Sequence, residues 1–204
     1  MGKDKQLIKN RIYILSECAV MIALSTVLSL IKVWKMPLGG SVTALSMLPI
    51  CLVSVMFGLK WGLGSAFVYA VIQLMFDLPE AMGWALTPGV WVGMIFFDYL
   101  IAFTVLGISG IFRRHKEYGA LLGVCLAMFL RFASHIISGT IFFAEWMPED
   151  WSSPFLYSVS YNGTFMLPEL IFTGAALFAL LKFSAIKKIV FEQNGLPFTK
   201  EEKE

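Results

Sequence analysis

The 204-residue sequence predicts an all-α integral membrane protein with six transmembrane helices and both termini in the cytoplasm. Hydrophobic residues make up 58% of the chain and charged residues 15%, whereas soluble proteins average roughly 45–50% and about 25%. The mean hydropathy of +0.75 reflects the same excess. A chain of this size cannot bury so much apolar surface in one core, so most of that surface must face lipid.

Six charge-poor runs of at least 16 residues give the six spans. They lack the alternation of barrel strands, so they are predicted to be helices. In chain order the spans are Ile12–Ile31, Val42–Leu59, Trp61–Phe76, Trp91–Phe112, Gly119–Phe143 and Pro154–Phe183. The first run is too long for a removable signal peptide and no small-x-small cleavage site follows it, so we expect it to stay as a membrane helix.

The second span is the least regular of the six. Only Gly58 to Lys60 separates it from the third span, and Pro49 interrupts it. Because proline kinks or breaks a helix, a kinked or partly re-entrant segment is an alternative to a full span at this place.

The distribution of Lys and Arg predicts the orientation. With both termini on one side, that side holds thirteen basic residues: Lys3, Lys5, Lys9, Arg11, Lys60, Arg113, Arg114, Lys116, Lys182, Lys187, Lys188, Lys200 and Lys203. The other side holds Lys32 and Lys35 alone. The positive-inside rule therefore places both termini in the cytoplasm. We expect one membrane domain over residues 1–204, with residues 1–11 as the cytoplasmic N terminus and 187–204 as a cytoplasmic tail.

The outer loops are then net acidic. They carry Asp77, Glu80, Glu145, Glu149 and Asp150 against two lysines. Such a mouth would attract cations, although loop acids also occur simply as solvated surface charge, and both interpretations stay open.

Several chemistries are excluded by what the sequence lacks. It contains no G-x-x-x-x-G-K-[ST], so the chain cannot hydrolyse ATP through a P-loop, and no HExxH, GxSxG or CxxC. The three cysteines are widely spaced inside apolar runs, so we expect neither disulfides nor a metal or other cofactor. No basic block lies beside an aromatic polar face, which excludes nucleic acid as a partner.

Ionisable residues within the spans are the best candidates for function, because each costs at least roughly 2.5–3.5 kcal/mol on insertion scales. They are Glu17, Asp98, Arg131, His135 and Glu169. A rise of 1.5 Å per residue places Asp98 about 10 Å below the outer end of the fourth span and His135 about 12 Å below that of the fifth.

The sixth span adds polar groups at the same level. Its start is well defined, because Ser152 and Ser153 are candidate N-caps and Pro154 suits the first helical position. Tyr157 and Asn162 therefore lie in its outer turns.

Three helices thus bring a carboxylate, an imidazole, a phenol and an amide to one depth. Aromatic residues are expected around them. Together they predict an outward-facing pocket for a small, partly aromatic, cationic ligand. The predicted binding residues are Trp34, Asp98, Tyr99, His135, Phe143, Trp146, Tyr157 and Asn162.

Other roles for the charged residues stay open. Asp98 could instead pair with Arg131, and Arg131 could pair with Glu169 or with backbone carbonyls near a kink at Pro168. Asp98 and His135 could also form the acid–base pair of a small membrane enzyme. No nucleophile or metal set accompanies them, so we predict no catalytic residues.

A small-residue pair on the first span is a candidate contact with another subunit. Ala19 and Ala23 stand four residues apart, a spacing that lets helices approach closely in membranes. Most such pairs serve packing within one bundle, and Gly58/Gly62, Gly89/Gly93 and Gly119/Gly123 repeat the spacing.

The chain resembles a known family over essentially its whole length. Motifs that carry the resemblance are Met36-Pro37-x-Gly39-Gly40-Ser41, Phe97-Asp98-Tyr99 leading to Gly107-Ile108-Ser109-Gly110-Ile111-Phe112, His135-Ile136-Ile137-Ser138-Gly139 leading to Phe142-Phe143, and Tyr157-Ser158 leading to Tyr161-Asn162-Gly163. It is similar to the thiamine-specific substrate-binding subunits of energy-coupling-factor (ECF) transporters, the ThiT family.

The resemblance implies a thiamine-binding protein of the bacterial cell membrane with no ATPase of its own. Its implied partners are a transmembrane coupling subunit, which contacts Ala19 and Ala23, and two cytosolic ATPases. Such subunits are thought to topple in the membrane to carry the ligand inward. The family's acidic ligand residue falls on Asp98, followed by Tyr99.

The remaining ligand residues of the family fall on His135, Tyr157, Asn162 and, in a loosely aligned loop, Trp34. A stacking Trp of some members corresponds to Phe143 here. Either Phe143 or Trp146 is therefore expected to stack on the ligand.

Overall fold

The computed structural model describes residues 2–193, in which long helices surround a short buried one. The helices are α1 (Gly2–Leu30), α2 (Met47–Phe57), α3 (Leu59–Ala81), α4 (Pro88–Ile108), α5 (Lys116–Ile141), α6 (Pro154–Lys182) and the short α7 (Ser184–Lys188). Between α1 and α2 lies an antiparallel hairpin of β1 (Lys32–Lys35) and β2 (Ser41–Thr43). Met1 and residues 194–204, which include most of the predicted tail, lie outside the described residues.

Five helices within residues 2–193 are long and apolar enough to cross a membrane. They are Asn10–Leu30, Leu59–Trp84, Pro88–Ile108, Arg113–Ile141 and Pro154–Lys182. These helices confirm the helical membrane class and five of the predicted spans. The count of six and the cytoplasmic position of both termini stay predictions.

The second predicted span is shorter than expected. It was to begin at Val42, but Val42 and Thr43 pair in β2, and the helix α2 starts only at Met47. Its 11 residues reach about 16 Å, roughly half of the hydrocarbon core. Ten of them are buried. An apolar helix that is buried on all sides is a core helix, so α2 is packed within the bundle rather than exposed to lipid.

Helix α4 is irregular where the predicted site lies. It begins at Pro88, in the first-turn position that proline favours, and it widens into a π-helix over Met94–Ile101. Asp98 and Tyr99 lie in this wide segment. π-helical turns often occur at functional sites, because they displace side chains from the regular helical register.

Helices α5 and α6 pack along each other and carry most of the remaining site residues. Ser153 caps α6 by accepting a hydrogen bond from Leu156 N at 3.4 Å, and Pro154 is its first residue, as predicted. A Cβ on Gly139 would overlap Ser158 Oγ, so glycine allows α5 and α6 to approach closely at this end.

The hairpin lies over one end of the bundle, the end predicted to face outward, and is attached to two helices. Lys32 Nζ lies 3.3 Å from Asp77 Oδ1 and Lys35 Nζ lies 2.8 Å from Glu80 Oε2, which ties β1 to α3. On the other side Thr43 hydrogen-bonds to Glu169 of α6. The hairpin is therefore part of the folded body.

Candidate functional site

Two adjoining cavities, of about 100 and about 60 Å³, lie beneath the hairpin. The larger is bounded by the hairpin and by residues of all six helices α1 to α6, and the smaller by α4, α5, α6 and Leu38 of the hairpin turn. Four residues line both: Asp98, His135, Tyr161 and Asn162. These residues mark the junction of a two-lobed pocket.

The side chains of Asp98 and His135 are in contact, as the sequence predicts. Asp98 Oδ1 lies 2.8 Å from His135 Nδ1, and Asp98 Oδ2 accepts a hydrogen bond from Ser138 Oγ at 2.5 Å. Both partners come from one face of α5, because they stand three residues apart. The Asp98 side chain is 21% exposed and that of His135 9%, so the carboxylate is ordered yet reachable from the cavity.

Arg131 contacts His135 rather than a carboxylate. Its Nε donates to His135 Nε2 at 3.3 Å, and its guanidinium lies 4.1 Å from the centre of the Phe103 ring. Between these described side chains there is no ion pair of Arg131 with Asp98 or Glu169, two of the alternatives that the sequence leaves open. His135 therefore accepts at Nε2 and donates from Nδ1 to Asp98, which is the neutral imidazole placed between opposite charges.

Asn162 joins the two helices that carry the pocket. Its Nδ2 donates to Ser158 O at 2.9 Å and lies 3.4 Å from His135 O. The amide is thus fixed by backbone groups of both α5 and α6, on the wall shared by the two lobes.

Aromatic side chains enclose the smaller lobe. Phe143 and Tyr157 line it, and the Tyr157 ring centre lies 6.0 Å from that of Tyr161. Trp146 packs against Phe143 with the ring centres 5.6 Å apart but lines neither lobe. Phe143 is therefore the ring in position to contact a ligand.

Six of the eight predicted binding residues line the pocket: Asp98, Tyr99, His135, Phe143, Tyr157 and Asn162. Trp34 and Trp146 do not. Trp34 lies in β1, is 53% exposed and lines neither lobe.

The family of thiamine transporter proteins (Thia_YuaJ) matches residues 15–189. The chain belongs to this family. The thiamine transporter ThiT of Bacillus subtilis strain 168 is 32% identical over 193 residues, which cover 87% of this chain and 92% of the relative. A solved structure of ThiT from Listeria monocytogenes, 22% identical, covers 88% of this chain and 98% of its own with a TM-score of 0.68, which shows a shared fold.

Membership in the thiamine transporter family confirms the resemblance stated from the motifs. With several apolar helices, this family member is a multi-pass protein of the bacterial cell membrane.

Tyr161 is a pocket residue that the sequence did not identify as such. It lines both lobes, its hydroxyl donates to Pro37 O, and it accepts from Gly40 N at 3.2 Å. It thus joins the pocket to the hairpin. Its position one turn after Tyr157 was the available indication.

Two uncharged polar residues were missed as well. Gln73 Nε2 donates to Ser29 Oγ at 2.9 Å, and both side chains line the larger lobe. They lie in predicted spans but carry no charge, so the search for ionisable groups passed over them.

Two further observations concern partners and metals. Ala19 and Ala23 lie on the exposed face of α1, where a second subunit could reach them. Among the described side chains, no three His, Cys, Asp or Glu residues are grouped closely enough to hold a metal ion.

Proposed function

We propose that this member of the thiamine transporter family is the thiamine-binding subunit of an ECF-type vitamin transporter. It captures thiamine in an outward-facing pocket and delivers it inward with an ATP-driven partner module. The observation that carries this proposal is the Asp98 carboxylate, held by His135 and Ser138 at the junction of a two-lobed cavity.

The chemistry of thiamine suits such a cavity. A positively charged thiazolium and an aminopyrimidine are joined by one methylene, so a pocket of two lobes with an anion between them offers each ring a place. Asp98 neutralises the cation or accepts from the amino group. Aromatic rings such as Phe143 and Tyr157 attract a delocalised cation.

The proposed ligand contacts follow from the lining. They are Asp98, Tyr99, His135, Phe143, Tyr157 and Asn162, whereas Trp146 acts only through its contact with Phe143 and Trp34 is no direct ligand contact in this arrangement of the hairpin. None of these residues is assigned a catalytic role, and the proposal needs no cofactor besides the ligand.

The sequence contains no P-loop, so ATP-driven delivery would draw its ATP hydrolysis from partner subunits. We propose a transmembrane coupling subunit that docks on the exposed Ala19 and Ala23 face of α1, together with two cytosolic ATPases. Small residues on a lipid-facing helix allow the close helix contact that such docking needs.

The test is a thiamine titration of the purified protein, followed by the fluorescence of its six tryptophans. We expect saturable quenching at micromolar ligand. Asp98→Asn should weaken binding by about 1.5–3 kcal/mol, the usual scale of a hydrogen bond to a charged group. Asp150→Asn, in an exposed outer loop, is the matched control and should bind like the parent.

Two results would count against the proposal. A parent protein without saturable quenching contradicts thiamine binding, and equal affinities of parent and Asp98→Asn remove Asp98 from the site. Competition by riboflavin, biotin or the free aminopyrimidine would indicate another vitamin or a thiamine precursor as the ligand.

A further inference from the structure

Glu169 is a buried acidic residue that the proposed ligand site does not use. It lies in α6, its exposed fraction is 0%, and it lines neither lobe of the pocket. A carboxylate in such a place is costly unless its hydrogen bonds are satisfied. Its role must therefore come from what its oxygens contact.

One oxygen of Glu169 accepts two hydrogen bonds from a single residue of the hairpin. Glu169 Oε1 lies 2.5 Å from Thr43 N and 2.7 Å from Thr43 Oγ1. Its other oxygen, Oε2, is buried without a hydrogen-bond partner among the described residues. Only one oxygen of the carboxylate thus makes hydrogen bonds, and both of these bonds hold β2.

Thr43 is itself part of the pocket wall. It lines the larger lobe together with Gly40 and Ser41, the residues that precede it in the hairpin. The position of this wall relative to α6 therefore depends on the contact between Thr43 and Glu169.

The same contact fixes the direction of a second hydroxyl. Thr43 has one hydroxyl hydrogen, and it donates to Glu169. Thr43 Oγ1 also lies 2.7 Å from Ser46 Oγ, so Ser46 must be the donor in that pair. Ser46 lines the larger lobe and is left with only lone pairs to offer a ligand, which favours ligands that carry donors.

We propose that Glu169 is a positioning residue of the thiamine pocket, which acts through Thr43 to hold the hairpin wall and to keep Ser46 as an acceptor. This inference rests on the proposed function, because it assigns Glu169 a role in thiamine affinity without contact with the ligand. The proposed positioning role requires a hydrogen-bond acceptor oxygen on the side chain of residue 169.

The experiment compares thiamine affinity and hydrogen–deuterium exchange of residues 40–45 in four variants. Glu169→Leu removes the acceptor of two buried donors and should weaken binding by about 10- to 100-fold, with faster exchange at Thr43. Glu169→Gln keeps an acceptor oxygen and should stay within about threefold of the parent. Thr43→Val keeps the hydrogen bond from the backbone N–H and loses the one from the hydroxyl. Its thiamine affinity should therefore lie between those of Glu169→Leu and Glu169→Gln.

Thr173→Val is the matched control. Thr173 lies one turn further along α6, is 0% exposed and has a buried hydroxyl without a partner, as Glu169 Oε2 has. It should match the parent in affinity and exchange. Exchange is measured without ligand, and thermal unfolding of each variant shows whether the bundle itself is intact.

Three outcomes would overturn the proposal. Glu169→Leu could bind like the parent, Glu169→Gln could lose as much affinity as Glu169→Leu, or affinity could fall without faster exchange at Thr43. If the parent fails to bind thiamine, the proposed function is wrong, and the exchange of residues 40–45 in Glu169→Leu still decides whether Glu169 holds the hairpin.

Discussion

A single imidazole connects the charges of the pocket. His135 lies between Asp98 at 2.8 Å and Arg131 at 3.3 Å, and one of its nitrogens serves each neighbour. Without this ring the carboxylate keeps only the bond from Ser138, and the buried guanidinium loses an acceptor. The imidazole therefore orients the group on which the proposed cation binding depends.

His135→Ala is accordingly expected to weaken thiamine binding by about 1–3 kcal/mol, the cost of leaving a buried polar group without its partner. The other histidine of the chain, His115, is exposed between α4 and α5, and His115→Ala is the control. Both variants are titrated with thiamine by tryptophan fluorescence. Equal affinities for the two would show that Asp98 does not need the imidazole.

At this scale the sequence identifies the two ionisable residues at the centre of the pocket and misses some of its neutral residues. Asp98 and His135 were identifiable because a charge in a membrane helix requires a reason. Gln73 and Tyr161 carry no such cost, so only the folded structure places them on the pocket. The contact of Arg131 with His135 depends on rotamers that the sequence does not determine.

Among the elements, the backbones of α5 and of the segment that follows α4 approach each other so closely that no side chain fits between them. A Cβ on Gly123 of α5 would overlap the backbone carbonyl of Ser109, which follows α4. The glycine pair Gly119 and Gly123, with its membrane-helix spacing, thus serves packing within the bundle.

Gly123→Ala is expected to destabilise the protein by about 1–3 kcal/mol, because the backbone must move to admit the methyl group. Gly174→Ala is the matched control in α6, where an added Cβ meets nothing within 4 Å. Its free energy of unfolding should rise by up to about 1 kcal/mol, because alanine has a higher helix propensity than glycine. Thermal unfolding in one detergent measures both, and a Gly123→Ala protein as stable as the parent would contradict the packing argument.

The hairpin shows which elements escape prediction from local pattern. The apolar residues near Val42 extend the second run in the sequence, so the predicted span includes them. Their strand pairing is fixed by contacts with residues far along the chain, such as Lys35 with Glu80 and Thr43 with Glu169. A hydropathy pattern cannot detect such long-range contacts. It detects five of the spans because each span is a continuous run of apolar residues in the sequence.

Over the whole molecule, α1 is the most exposed of the five membrane-capable helices in residues 2–193. Only 17% of its most apolar window is buried, against 33–44% for the other four. Because so little of α1 is buried against the other helices, one of its faces is available to another membrane protein. Ala19 and Ala23 lie on this exposed face, about 40° apart around the helix axis.

Ala23→Trp should leave thiamine affinity unchanged and abolish association with the proposed coupling module. The bulky ring projects into lipid in the isolated subunit, where nothing opposes it, but it prevents a second helix from approaching closely. Leu24→Trp is the matched control, because Leu24 is also exposed and projects about 100° away around the helix. The measurement is co-purification of the tagged subunit with co-expressed coupling subunit and ATPases, beside a thiamine titration of the same preparation. Undiminished co-purification of Ala23→Trp would place the docking surface elsewhere, and loss of thiamine binding in this variant would show that α1 supports the pocket as well.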